Sequence, residues 1–330
     1  MPLPTPTAGD TDQFVVVTSY TKPTISSRGP VVGRVRLAGW SCITRGIHQP
    51  TADLTAADQL TAWAQTLPRS GAFTHLTAAR LLGLWTPPGA AAMPVTVAVS
   101  DHEWRPRRAG VRGIRLAEVP RGDNLAGLPM TTTAEVVLAC ARHLAWLDLL
   151  VLVDSALHLG ACAAEDLVSL AATRRRGAKA LRRVLPYAEP LTESAGETLL
   201  RMAHVLAGVP VVAQHVVTDE HGQTIGRADL WIRGTRRLPE YDGAYHRDAA
   251  QYERDRRRDR KFQRAGWQPY SYSVHGVLRQ HTSIVRDADD ALGRAHDPAR
   301  SRLFGGALDE SCWSAGGAPR LARRLHDPRL

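Results

Sequence analysis

The stretch LPEYDGAYHR, residues 238–247, decides how the second half of this chain is read. It places Glu240 and Asp242 two positions apart, follows them with a glycine, and ends on an aromatic residue, His246 and Arg247. Residues two apart on a strand point to the same face, so the two carboxyls share one. Just upstream, GRADLWI (226–232) carries a single acid, Asp229, inside an apolar run. If these two segments pair antiparallel, Asp229 lies beside Glu240 and three carboxyls converge at one end of a sheet. So much negative charge on half-buried strands is costly unless a cation or hydrogen-bond donors lie among it.

The flanking text has a clear order. SAGETLLRMAHVLAG (194–208) has helical periodicity. VPVVAQHVVT (209–218), IGRADLWI (225–232) and RLPEYDG (237–243) are strands divided by the turns DEHGQT and RGTR. RDAAQYERDRRRDRKFQRAG (247–266) is a helix, WQPYSYS (267–273) a strand, and VHGVLRQHTSIVRDADDALGRA (274–295) a final helix. The sequence α-β-β-β-α-β-α predicts a mixed sheet flanked by helices, an α/β fold of the α+β kind.

The first half is richer in helix. Residues 1–30 read as a flexible arm of Thr, Ser and Pro, and VGRVRLAGWSCITRGIHQP (32–50) as a strand pair about an Arg-Gly turn. LTAADQLTAWAQTL (54–67) and FTHLTAARLLGLW (73–85) are helices, the second with Thr74 as cap and Gly83 as stop. MPVTVAVS (93–100) and GVRGIRLAEV (110–119) alternate as strands do, with the basic loop DHEWRPRRAG between them. TTTAEVVLACARHLAWLDLLVLVDSALHLG (131–160) is one long apolar helical run, the expected core of this half, and AAEDLVSLAA (163–172) continues in helix. The basic run TRRRGAKALRRVLPYAEP is ended by Pro186 and Pro190. These signals divide the chain into a helix-rich mixed domain at 31–187, a second domain at 188–298, and a loosely ordered basic tail at 299–330.

The chain has 330 residues and a formal net charge of +10, carried almost wholly by arginine, since lysine occurs only at Lys22, Lys179 and Lys261. Arginine forks suit phosphates, so a polyanionic partner fits; a compositional taste for Arg and Ala gives the same numbers. The four cysteines are far apart and form no CxxC pair, which argues against a zinc site of ordinary spacing. The N-terminus is polar and Pro-rich, unlike a signal peptide, and no apolar run has the length of a membrane span. A cytoplasmic location is expected, with no membrane partner; the oligomeric state is left open.

Each acid has a bland reading beside the functional one. Ser194 and Glu197 fit a capping box. Asp229 has Arg227 and Arg237 within reach as ion-pair partners, and Asp242-Gly243 is ordinary turn chemistry. The functional reading is that Asp229, Glu240 and Asp242 hold a hard divalent cation, which prefers oxygen ligands. Twelve Lys and Arg residues but only seven acids lie between 227 and 264, so the acids occupy a basic surface suited to a phosphate backbone. Arg227, Arg236, Arg237, Arg247, Arg257, Arg258 and Lys261 are the candidate contacts to nucleic acid.

The joint order Glu, Asp, Glu-x-Asp on this helix-and-strand pattern resembles the PD-(D/E)XK nuclease superfamily, in its very-short-patch-repair-like branch, over residues 190–297. The resemblance implies a restriction-endonuclease-like sheet and DNA cleavage dependent on Mg²⁺ or Mn²⁺. It makes Glu197 the first-helix acid, Asp229 the central metal ligand, and Glu240 the acid of the E-x-K element, with the Tyr241 carbonyl offered to the metal. Asp242 stands where the superfamily usually has lysine; it either adds a ligand or marks an inactive descendant. DGAYH matches the repair-like branch, which makes His246 a candidate general acid or base. Residues 40–160 resemble, more loosely, the antitoxin-like regulators of the AbiEi kind, without a visible helix-turn-helix. The expectation is therefore a metal-dependent DNA endonuclease. The alternative is a catalytically inactive nuclease-fold protein that binds DNA as a regulator, and a toxin–antitoxin or phage-defence partner is compatible with either.

Overall fold

The computed structural model describes residues 31–32, 39–50, 56–122, 127–243 and 249–326. The expected arm at 1–30, and His246 and Arg247, lie outside the described residues. The protein is mixed α/β: small sheets of two or three strands set among twelve α-helices within the described residues.

The first half opens with β1 (Val31–Val32), β2 (Trp40–Thr44) and β3 (Ile47–Pro50), where β2 and β3 form the expected hairpin about Arg45 and Gly46. α1 (Ala56–Ala64), β4 (Ala72–Phe73) and α2 (His75–Leu81) follow. β5 (Val95–Ser100) pairs parallel with β6 (Val111–Leu116) and antiparallel with β4. The long apolar run at 131–160 is two helices, α3 (Thr133–Cys140) and α4 (Trp146–His158), rather than one. At about 1.5 Å per residue, an unbroken helix of that length would outrun a small domain. The break returns α4 to the interior, where Leu147 to Ala156 are all buried. α5 (Ala164–Ala172) and α6 (Ala178–Val184) complete this half.

The second half follows the expected order: α7 (Ala195–Val205), β7 (Val211–Thr218), β8 (Thr224–Ile232), β9 (Arg237–Asp242), α8 (Ala249–Arg264) and β10 (Gln268–Ser273). The last helix is broken at Gln280 into α9 (Val274–Arg279) and α10 (His281–Ala291). The pairing differs from the expectation. β8 ladders with β7 and β9 runs parallel to β10, and among the described residues no ladder joins β8 to β9. These two strands lie side by side and are linked by a side chain, as described below.

The expected loose tail is corrected. Residues 302–326 form α11 (Arg302–Glu310) and α12 (Gly317–His326). Phe304, Leu308, Trp313, Leu321 and Leu325 are buried in the main core, and the Cys312 amide donates to the buried Asp148 of α4 at 3.0 Å. Gly- and Arg-rich text hid an amphipathic pattern whose apolar members had a core to cover. That core is one cluster containing Leu60, Phe73, Leu149, Leu200, Val277 and Leu325, so packing is continuous across residue 187. Among the described residues no helix is long and apolar enough to cross a membrane.

Candidate functional site

The site is built around the first turn of α7. Ser194 is the N-cap, and its Oγ accepts the Glu197 amide at 3.2 Å while donating to Glu197 Oε1 at 2.8 Å. Glu197 Oε2 accepts the Glu193 amide at 2.9 Å, so Ser194 caps the helix as expected, but the returning bond goes to the residue before the cap and not to the Ser194 amide that a capping box uses. The same oxygen takes a further bond, from Gln214 Nε2 at 2.7 Å, which no capping box requires.

Gln214 lies on β7 with a left-handed backbone, φ 49°. Such a conformation is costly for a residue other than glycine. The ladder pairs Ala213 with Leu230 and His215 with Ala228, so the distortion falls opposite Asp229. Burial alternates regularly along this part of β8, with Ala228, Leu230 and Ile232 buried and Asp229 and Trp231 half-buried on the other side. Asp229 extends toward β9, where Oδ2 accepts the Tyr241 amide at 2.8 Å. The Tyr241 ring lies over Gly196 in the first turn of α7, and a Cβ at Gly196 would stand 2.1 Å from it.

Burial raises the carboxyl of Glu197, and the nearby Asp229 carboxylate raises it further, to about 7. Burial raises Asp229 as well, against the Tyr241 amide and the charges of Arg258 and Arg227, which lower it. Two half-buried carboxyls are therefore both raised, and Glu197 lies in the field of Asp229. Glu240, 6% exposed, faces α8 instead, where Arg258 Nη2 donates to its Oε2 at 2.6 Å and the same guanidinium lies 5.7 Å from the Phe262 ring. Asp242 ends β9 half-buried, opposite Ser273 of β10. Asp229, Glu240 and Asp242 do not close into one ligand set: among the described residues no three His, Cys, Asp or Glu side chains are grouped as metal ligands. Glu197 and Asp229 are the two carboxyls that could hold a divalent cation. Mg²⁺ is commonly held by one or two carboxylates and keeps several waters, and its charge would offset the burial that raises both groups and the Asp229 charge that raises Glu197 further.

The predicted nucleic-acid contacts are dispersed. Arg227 pairs with Glu193 at the surface. Arg236 lies 4.8 Å over the Trp267 ring and Arg237 4.8 Å over that of Tyr270. Tyr270 is 41% exposed. Arg257 and Lys261 are exposed along α8. Sequence reasoning missed Gln214, the Tyr241 amide and the Arg258–Glu240 pair. Only Gly196, a glycine in the first turn of a helix, left a readable sign.

No family model matches the chain, and no solved structure matches it. It is 31% identical over 186 residues to two uncharacterized proteins of Mycobacterium tuberculosis, MT2308 and Rv2248, each from a different strain. The similarity covers 56% of this chain and 66% of each relative.

Proposed function

We propose that the protein is a Mg²⁺- or Mn²⁺-dependent DNA endonuclease with a restriction-endonuclease-like second half, in which Asp229 and Glu197 hold the metal. The observation that carries this reading is the pair of half-buried, raised carboxyls beside the strained Gln214, with no ion pair of their own among the described residues. Strain and raised carboxyl pKa values are features that functional sites keep. A bound divalent ion supplies Lewis-acid polarisation of a phosphoryl oxygen and acidifies a bound water. The chain's own part is to orient the carboxyls: the Tyr241 amide fixes Asp229, and Ser194, Glu193 and Gln214 fix Glu197. Arg257 and Lys261, exposed on α8, are available to the phosphate backbone.

A second reading is a nuclease-fold regulator without turnover, acting with a toxin–antitoxin or defence partner. The Arg258–Glu240 pair and Asp242 at the motif-lysine position favour it, because an arginine already neutralises one expected ligand. The test is cleavage of single- and double-stranded DNA with Mg²⁺ or Mn²⁺, wild type beside Asp229→Asn. The asparagine keeps an acceptor for the Tyr241 amide, so the fold is retained. Metal-dependent cutting that falls to background in the variant is the expected result. DNA binding without cutting on any substrate would replace the first reading with the second.

A further inference from the structure

The helical half carries a second polar site, of opposite charge, which shares no residue with the acidic cluster. A cavity of about 710 Å³ lies along β6, lined by Arg105, Arg107, Arg108, Arg112, Arg142 and Arg176 among others. A neighbouring cavity of about 360 Å³ shares Arg115, Arg142 and Arg176 with it and adds His75 and Arg175. A third, beyond Arg142 and Arg176, adds Lys179 and Arg183. Together they form one basic groove. The acid in its lining, Glu135, is held by Arg175 through bonds of 2.5 and 2.6 Å.

Several features make this a built site rather than an incidental run of arginines. The stem of Arg105 lies on bare β6 backbone, since a Cβ at Gly113 would come within 2.5 Å of it. Gly177, at φ 93°, seats the turn that carries Arg175 and Arg176 on α3, and a Cβ there would meet the Leu138 carbonyl at 2.4 Å. His75, at the floor of the second cavity, is 3% exposed and left-handed at φ 52°. Among the described residues neither of its ring nitrogens has a hydrogen-bond partner. A buried imidazole left without a partner is costly, and so is its backbone strain. The local field is strongly positive. Burial and then the charges of Arg176 and Arg112 hold Arg142 below its usual range, and burial followed by His143, Arg142 and Arg112 does the same to His75. An oxygen-rich anion would satisfy the imidazole and relieve the arginines together.

We propose that this groove binds a phosphate ester, a nucleotide or the backbone of a nucleic acid strand, with His75 and Arg142 at its floor and Arg105 and Arg176 on its walls. Arginine forks match phosphate oxygens in pairs, and the larger cavity has the size of a nucleotide-class site. Trp104, next to Arg105 and 55% exposed, offers a face on which a base can stack. The site does not depend on the nuclease reading.

The test uses the full chain and three probes: pyrophosphate, adenosine monophosphate and a short single-stranded DNA, titrated by calorimetry and by anisotropy across a salt series. Arg176→Gln and Arg142→Gln are expected to weaken nucleotide or strand binding about tenfold each, and for the strand to flatten the salt slope by about 0.7 per lost contact. Arg142 is half-buried and its loss can affect folding; Arg176 is exposed, so its variant, checked by thermal melting, carries the test alone. Nucleotide binding identifies a small-molecule site, and strand binding without nucleotide binding identifies a nucleic-acid track. The proposal is overturned if no probe binds, if only pyrophosphate binds, or if a folded Arg176→Gln binds as wild type does.

Discussion

Buried carboxylates occur in both halves of the molecule and are compensated differently. Asp154 on α4 has no exposure, and it accepts the Glu189 amide, the Thr198 hydroxyl and Arg201 Nη2, each at 2.8 Å. Asp289 on α10 is equally buried and gathers Arg294, Arg300 and His296. Burial alone would raise Asp289, but the bonds from Arg294 and His296 reverse this and hold it below the ordinary carboxylate range. Glu197 has as many donors as Asp154, yet all are neutral, and the charge that most perturbs it is another carboxylate. Asp154 and Asp289 have a directly paired cation; Asp148 has the Cys312 amide and, among the described residues, none, and it too is raised to about 7. Glu197 differs from Asp148 in having a second carboxylate beside it, an arrangement that an added cation would complete.

The sharpest way to break this comparison is to remove a cation where one is present. Arg201→Met keeps much of the stem packing and leaves Asp154 buried beside neutral donors. Removing one partner of a buried pair costs about 3–5 kcal/mol, and urea unfolding at pH 7 should show a loss of that size. The loss should shrink as pH falls through about 6, where Asp154 takes up a proton. A cost below about 1 kcal/mol would mean that hydrogen bonds alone suffice for a buried carboxylate here, and Glu197 would lose its distinction.

Glu197→Gln tests the other side. The carboxyl is raised in the folded protein, so folding favours its protonated form. The stability it contributes is complete below its ordinary value of 4.5 and is lost as pH rises through about 7. Asp148 and Asp154, also raised by burial, titrate in the same direction, so the readout is the difference between wild type and variant. Between pH 5 and 8 the wild type should lose about 1 kcal/mol relative to the glutamine variant. Added Mg²⁺ or Mn²⁺ should restore most of it above pH 7, and do so far less in the variant. Metal stabilisation that is equal in both would detach Glu197 from any ion site.

These contrasts were only partly legible in the sequence. The strand and helix order of the second half was readable because Gly208, Gly222, Gly234 and Gly266 mark its turns, all at positive φ. The Ser194 cap was readable because it is local: Ser194 and Glu197 are three residues apart. What joins the site is not local. Gln214 reaches Glu197 across 17 residues and Arg258 reaches Glu240 across 18. A left-handed glutamine has no sequence signature, since that conformation is usually read from Gly or Asn. The hairpin expectation for β8 and β9 was sound about proximity and mistaken about the ladder: β8 pairs with β7 and β9 with β10, and the Asp229 carboxylate bonds across to the Tyr241 amide. The C-terminal helices were missed because glycine and arginine dominate the text around Trp313, Leu321 and Leu325.

The smallest expected effect separates stability from the field at the site. Arg227 and Glu193 form an ion pair whose side chains are 52% and 43% exposed. Such pairs contribute little, so Arg227→Gln and Glu193→Gln should each stay within about 0.5 kcal/mol of wild type in urea unfolding. Their charges nevertheless act on the half-buried carboxyls: Glu193 raises both Glu197 and Asp229, and Arg227 lowers Asp229. At a pH above 7, Arg227→Gln should tighten Mn²⁺ binding a few-fold and Glu193→Gln should weaken it by a similar factor. The two variants thus move metal affinity in opposite directions while leaving stability in place, which a purely structural role for the acids would not produce. Equal affinities in both would show that surface charge does not reach the Glu197–Asp229 pair, and that its raised carboxyls answer to burial alone.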